Sequence, residues 1–388
     1  MKFPAAFLVL FSLTALAGSM SLEEAQKLSA QDGKPVLIDF YAVWCGPCKR
    51  FTADSKADAD IKAILGDVHL VKLDAEKGGK PLAEKFTVRG YPTFVLVNKD
   101  LEPIRRWWGY SKDGFTKDMK AGLADPVTLD ERVARFQKGE NLQDAVVLAQ
   151  ALETSSKSLE ALKYYEAADR LNTGDDANFY GFDAFRMKHS LFRGKKEGVS
   201  FSDLDHTARA LLKSGKMTDK QPAYLGQIMF TEARSEKKMD AAGFYINSVL
   251  EHSEADDSRA RIEFEALKLV YVDHDVPAAL KRAQDFLGEG WEEDSEKLNE
   301  FSWWCFENSV NLKDARDLAA KAVSLQEPGP DRANILDTQA ELENALGHPD
   351  RAVKLMEQAV NDDPRKAHKK QLERFRKLAE KDPGVSGN

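Results

Sequence analysis

The sequence predicts a chain in two parts: one α/β layer over residues 21–124, then an all-α array of stacked helix pairs reaching residue 380. Three observations predict it. Short runs rich in β-branched and aromatic residues ("VLIDFYAV", "DVHLVKLDA", "TFVLVN" and "IRRWWGY") alternate with helical stretches up to Ala124, which is how an α/β layer is written in sequence. Beyond Asp125-Pro126 no such run stands out, and apolar residues follow the helical period instead. Near the C-terminus a layout recurs: Ala315 and Ala352 are 37 residues apart, and Pro328 and Pro364 are 36 apart. A period of that length marks stacked helix pairs.

Each element has a local reason. "SLEEAQKLSAQDGKP" places Leu22, Ala25 and Leu28 on one helical face and stops at Asp32-Gly33. "VLIDFYAV" is a continuous apolar run of the kind buried in a parallel sheet. Helices follow from about Cys45 to Ala57 and from Asp58 to Leu65, then the strand "DVHLVKLDA" and the helix in "GGKPLAEKFTV". "TFVLVN" turns at "KDLEP" and returns as "IRRWWGY", and "SKDGFTKDMKAGL" closes the layer with a helix capped by Ser111 or Asp113. Residues 127–290 read as degenerate helix pairs, with "SLEALKYYEAADRLN" and "VPAALKRAQDFLGEG" as second helices. Residues 291–380 hold two clearer pairs and a charged final helix, and 381–388 a disordered tail. The clearest pair, Ala333 to Pro364, joins its helices near Gly347 and sets Ala340, Ala352 and Ala359 where they cross.

Composition narrows the function classes. Apolar residues make up 43% and charged residues 31% of 388, enough for a packed core and against wholesale disorder. The net charge of −8 is uneven: residues 18–124 carry 17 Lys/Arg against 15 Asp/Glu, and residues 125–388 carry 38 against 49. An acidic second half argues against nucleic acid or an anionic membrane as partner. "MKFPAAFLVLFSLTALAGS" has the three-part layout of a signal peptide, with cleavage expected after Ala17. Its apolar run is shorter than the ~20 residues a spanning helix needs, so no stable membrane anchor is expected. Export to a bacterial periplasm or beyond is the expectation.

The chemistry sits in "DFYAVWCGPCKRF", where Cys45 and Cys48 flank Gly46-Pro47. A zinc site would want a second Cys or His pair at suitable spacing, and only His69 follows in this domain; no metal is expected. A bridge across two residues closes too short a loop to be a useful staple. A redox pair is favoured by position, at the junction of a buried strand and a helix N-terminus, where free N–H groups and the helix dipole stabilise the Cys45 thiolate. Lowering a thiol pKa from about 8.5 to about 7 raises the thiolate fraction at neutral pH from roughly 3% to roughly half. Cys48, one turn on and less exposed, would resolve a mixed disulfide. Cys305 reads as a buried apolar residue. Trp107-Trp108 and Trp303-Trp304 read as packing residues.

"FYAVWCGPCKRF" resembles the active-site stretch of the thioredoxin family, and the likeness runs from about Val36 to Gly109. It implies that Cys45, Cys48 and Asp39 are catalytic, with Asp39 a buried acid that deprotonates the resolving cysteine. It implies support from Trp44, Gly46, Pro47 and Lys72, and substrate contact at Tyr91, Pro92 and Thr93, with Pro92 in a cis bond. The helix leading into "GKPVLIDFYAVWC" is similar to the exported thiol-disulfide interchange proteins of that family, and Gly-Pro between the cysteines to its reducing members. The unit from Ala333 resembles a tetratricopeptide repeat, with Ala340, Gly347, Ala352, Met356, Ala359 and Pro364 at matching places. The fold class expected is thus an α/β thioredoxin-like domain followed by an all-α tetratricopeptide-like solenoid. The function expected is a protein-disulfide reductase or isomerase needing no cofactor. Its partners would be protein disulfides, an electron donor and a protein held by the repeats. The alternative is a repeat-based scaffold whose α/β domain is redox-regulated or vestigial.

Overall fold

The computed structural model describes residues 20–173, 180–195, 198–218, 220–253 and 259–381. The signal-peptide reading of residues 1–17 lies outside the described residues; of the tail expected over 381–388, Lys381 is instead the last residue of the final helix and the rest lies outside them. Among those described, no helix is long and apolar enough to cross a membrane.

The α/β layer follows the predicted order: α1 (Leu22–Asp32), β1 (Val36–Tyr41), α2 (Gly46–Ala57), α3 (Ala59–Leu65), β2 (His69–Asp74), α4 (Lys80–Lys85), β3 (Thr93–Val97), β4 (Pro103–Trp108) and α5 (Lys112–Ala124). Ser21 caps α1 and Ser111 caps α5, each accepting a first-turn N–H. The strands lie in the order β2-β1-β3-β4. β1 is central, parallel to β2 and antiparallel to β3, so the sheet is mixed rather than purely parallel. The side-chain period of two sorts the core into two layers. Leu37, Phe94 and Leu96 pack with Phe51, Ile61, Phe115 and Met119 under α2, α3 and α5. Val36, Ile38 and Phe40 pack with Ala25, Val71 and Ala83 under α1 and α4.

The chain divides into two compact units, residues 1–218 and 219–388. Within the first, the layer continues into α6 (Leu129–Lys138), α7 (Leu142–Glu153), α8 (Ser158–Leu171), α9 (Tyr180–Arg193) and α10 (Phe201–Ser214), each packed on the next, while β4 packs on α7. The second unit holds α11 (Gln221–Ser235), α12 (Met239–His252), α13 (Arg259–Tyr271), α14 (Val276–Asp285), α15 (Ser295–Glu307), α16 (Leu312–Ser324), α17 (Pro330–Ala345), α18 (Pro349–Asp362) and α19 (Lys366–Lys381). Antiparallel pairing is tight where side chains are small. In α11 a Cβ on Gly226 would come within 2.7 Å of Val249 on α12. α17 and α18 turn at Gly347, whose φ of +87° suits glycine, and they bury Ala340, Ala352, Met356 and Ala359 completely. The helix pairs within each unit are therefore of the predicted tetratricopeptide-like kind.

Two tryptophan readings need correction. Trp107 is buried, but Trp108 is 64% exposed, because successive strand residues face opposite sides and only one side is covered at this end of β4. Trp303 is 37% exposed on α15, whereas its neighbour Trp304 packs into the core between α13 and α17.

Candidate active site

Cys45 is the N-cap of α2, and its Sγ accepts the Cys48 N–H at 3.1 Å. Pro47 sits in the first turn, where its missing N–H costs nothing, and Gly46 opens the helix. The two sulfurs are bonded to each other, 2.07 Å apart. Cys48 is not the less exposed of the two: Cys45 is 2% exposed and Cys48 3%. In the disulfide both are enclosed by Ala42, Tyr41 and Tyr91. The strand-to-helix step therefore supplies the N–H and dipole environment the sequence implied, with both sulfurs largely buried.

Asp39 lies behind the pair in mid-β1, fully buried, on the same face as Leu37. Its register partner on β2 is Lys72, whose Nζ lies 3.5 Å from Asp39 Oδ2. That is too long for a full hydrogen bond, and neither Asp39 oxygen has a hydrogen-bond partner among the described residues. Burial pushes the Asp39 carboxyl up to about 6, while the Lys72 charge holds it from rising further. Lys72 Nζ donates to Thr52 Oγ1 at 2.6 Å, and Thr52 Oγ1 donates to the Cys48 carbonyl at 2.9 Å. A continuous polar path thus joins the buried acid to the turn carrying Cys48. Thr52 was not singled out in the sequence, although its place one turn after Cys48 was a usable signal.

The front of the site is apolar. Trp44 is 65% exposed, donates from Nε1 to Glu76 and meets the Tyr91 ring edge-on at 5.8 Å. The Tyr91-Pro92 bond is cis. Thr93 Oγ1 donates to the Gly90 carbonyl, and the Gly109 N–H donates to the Pro92 carbonyl at 2.8 Å. Trp108 is the register partner of Thr93, and a Cβ on Gly90 would meet its ring at 3.3 Å. Of the ten residues named from the sequence, Cys45, Gly46, Pro47 and Cys48 form the turn into α2, while Tyr91 packs on both cysteines and Trp44 on Tyr91. Lys72 lies beside Asp39 and reaches the Cys48 carbonyl through Thr52, and Pro92 and Thr93 follow Tyr91 into β3. Cys305 takes no part: it is wholly buried on α15, and burial pushes its thiol up to about 12.

The thioredoxin family model matches residues 20–121. A protein disulfide-isomerase-like protein of Emiliania huxleyi is 34% identical over 164 residues, 41% of this chain and 72% of that protein. Thioredoxin of Chlamydia trachomatis is 33% identical over 102 residues, 26% of this chain and 82% of that one. Among solved structures, a tetratricopeptide repeat protein from Parabacteroides merdae covers 64% of this chain and 91% of its own, at 14% identity and a TM-score of 0.39. That likeness is slight, and the helix pairs are defined by this chain's own packing. With a Cys-Gly-Pro-Cys disulfide capping α2 and relatives covered over most of their length, the chain belongs to the thioredoxin family, its thioredoxin domain continuing into helical repeats.

Proposed function

We propose that the protein is an exported thiol-disulfide oxidoreductase that reduces or isomerises protein disulfides, and that its helical repeats recruit the partner protein. The observation that carries this reading is Cys45 Sγ at the N-terminus of α2, bonded to Cys48 and accepting its N–H.

In the reduced protein, the Cys45 thiolate attacks one sulfur of a substrate disulfide. The substrate S–S bond breaks, a Cys45–substrate disulfide forms, and the other substrate sulfur leaves as a thiolate that takes up a proton. Asp39, ionised at neutral pH with its carboxyl raised to about 6, accepts the Cys48 proton. The Cys48 thiolate then attacks Cys45 Sγ, releasing the second substrate thiol and restoring the Cys45–Cys48 bond. Two electrons have passed to the substrate. A thiol or dithiol donor must return them before the next cycle, and such a donor is the second partner of the reading. Trp44, Tyr91, Pro92 and Thr93 form the face on which substrate backbone lies. Isomerisation uses the same first step and lets a substrate thiol resolve it. Export rests on the signal-like residues 1–17.

The experiment is a trap. With Cys48→Ser, expressed with its leader, the mixed disulfide at Cys45 cannot be resolved. A discrete set of exported proteins held at Cys45 supports the reading. If nothing is held there while the full-length Cys45→Ser/Cys48→Ser protein still retains a partner, the repeat-based scaffold takes its place.

A further inference from the structure

Arg106 on β4 is 5% exposed and, among the described residues, has no carboxylate partner. Its guanidinium instead donates to three main-chain carbonyls: Nη1 to Phe86, Nη2 to Thr87 at 3.0 Å, and Nη2 to Thr154 at 2.9 Å. Phe86 is the C-cap of α4 and Thr154 the C-cap of α7. The negative ends of two helix dipoles thus stand in for the missing anion, one from the α/β layer and one from the first helices of the array. Arg105 makes a parallel tie one turn earlier on α7, donating to Gln150 Oε1 at 3.2 Å as well as to Asp118.

Phe86 and Thr87 begin the stretch that leads through Val88, Arg89 and Gly90 to Tyr91-Pro92. Thr87 is held at φ +52°, a conformation that a β-branched residue adopts at a cost. The far end of the stretch is tied by Thr93 to Gly90 and by Gly109 to Pro92. Its near end hangs on α4, through the Val88 N–H to the Ala83 carbonyl, and on Arg106. A hydrophobic side chain would fill the Arg106 site without linking anything, and a buried cation is retained at a desolvation cost.

We propose that Arg106 is a positioning residue for disulfide exchange: through it α7 braces the start of the Tyr91-Pro92 loop, so the first helices of the array help to shape the substrate face. This rests on the oxidoreductase reading above. It assigns those helices a role in the exchange site itself, in addition to any partner they recruit.

The test uses the full chain with a thiol reductant and two probes: insulin, a polypeptide disulfide that needs the loop, and 5,5′-dithiobis(2-nitrobenzoate), a small one that does not. Arg106→Met should raise KM for insulin about tenfold while kcat, the small-probe rate and the Cys45–Cys48 potential stay within error, since misplacing a binding edge weakens orientation rather than sulfur chemistry. Arg106→Lys, which keeps a charge and donors without the fork, should recover part of the loss. A second variant, Gln150→Ala with Thr154→Gly, loosens the α7 end with both substitutions outside the α/β layer, where Arg105 keeps its Asp118 partner. It should reproduce the KM rise, and it decides the matter if Arg106→Met fails to fold. Equal losses on both probes, or an unchanged insulin KM in the α7 variant, would overturn the proposal. A wild-type protein that turns over neither probe removes the oxidoreductase reading first, and this one with it.

Discussion

Two buried ionic sites in the first compact unit treat charge in opposite ways. Where α6 and α7 meet, Arg132 is 1% exposed and Asp144 fully buried. Arg132 Nη1 donates to Asp144 at 2.9 Å and to Asp125 at 2.8 Å. Arg135 and Asn141 add donors to Asp144 at 2.7 and 2.8 Å. Burial alone would push the Asp144 carboxyl up, but these hydrogen bonds outweigh it and hold it below its ordinary value. Behind the cysteines Asp39 is equally buried, yet it has one lysine at 3.5 Å and no hydrogen bond. A joint that only has to hold surrounds its buried carboxylate with donors. A site that must move a proton leaves its carboxylate under-solvated, with an affinity for protons near neutral pH.

The largest expected effect comes from removing a partner at the joint of α6 and α7. Asp144→Ala strands Arg132 with a single carboxylate and should cost about 3–5 kcal/mol in urea unfolding at pH 7; a loss below about 1 kcal/mol would mean that the joint contributes little. The carboxyls there have lowered folded values. Their stabilisation is therefore present above the unfolded carboxylate value and disappears as pH falls through the folded one.

Asp39 should behave in the opposite sense. Its carboxyl is raised from 3.8 to about 6, so stability is lost as pH rises between those values. Asp39→Asn should then stabilise the oxidised protein by up to about 3 kcal/mol at pH 7 and above, and by nothing below about pH 4. The same variant should lengthen the life of the Cys45–substrate disulfide, read by quenched-flow with acid trapping. A pH-independent stability change would show that ionisation of Asp39 is not the cause.

The smallest effect sharpens the joint. Thr128 caps α6 in a reciprocal box with Glu131, and Thr128→Ala should cost about 1 kcal/mol without altering exchange kinetics. If exchange does slow, the joint reaches the cysteines by a route other than Arg106.

Legibility in the sequence followed how local each signal was. α1 and α5 could be read because Ser21, Gly33 and Ser111 act within one turn of their own helices. Cys45, Cys48, Pro92 and Asp39 could be read because four features in fixed order resemble a known site. Trp108 was misread because strand alternation says which residues share a face, not which face is covered. The relative exposure of the two cysteines was misread because the cover over both comes from Tyr41 and Tyr91, on other segments. Arg106 gave no sign at all, since its three acceptors are carbonyls on the α4–β3 connection and on α7; a main-chain acceptor carries no residue signature.

The alternation of strands and helices, the small residues at which α17 and α18 cross, and the placing of a dithiol at a helix N-terminus are all written in the residue order. Each depends on side-chain periodicity and on residues a turn or two apart. Packing of distant segments fixes that β1 lies between a parallel and an antiparallel neighbour, that Asp39 lacks a full hydrogen bond among the described residues, and that Arg106 links the end of α7 to Phe86 and Thr87. Those facts depend on which distant segments remove water from a given atom, and water exclusion is a property of the packed chain rather than of any stretch within it.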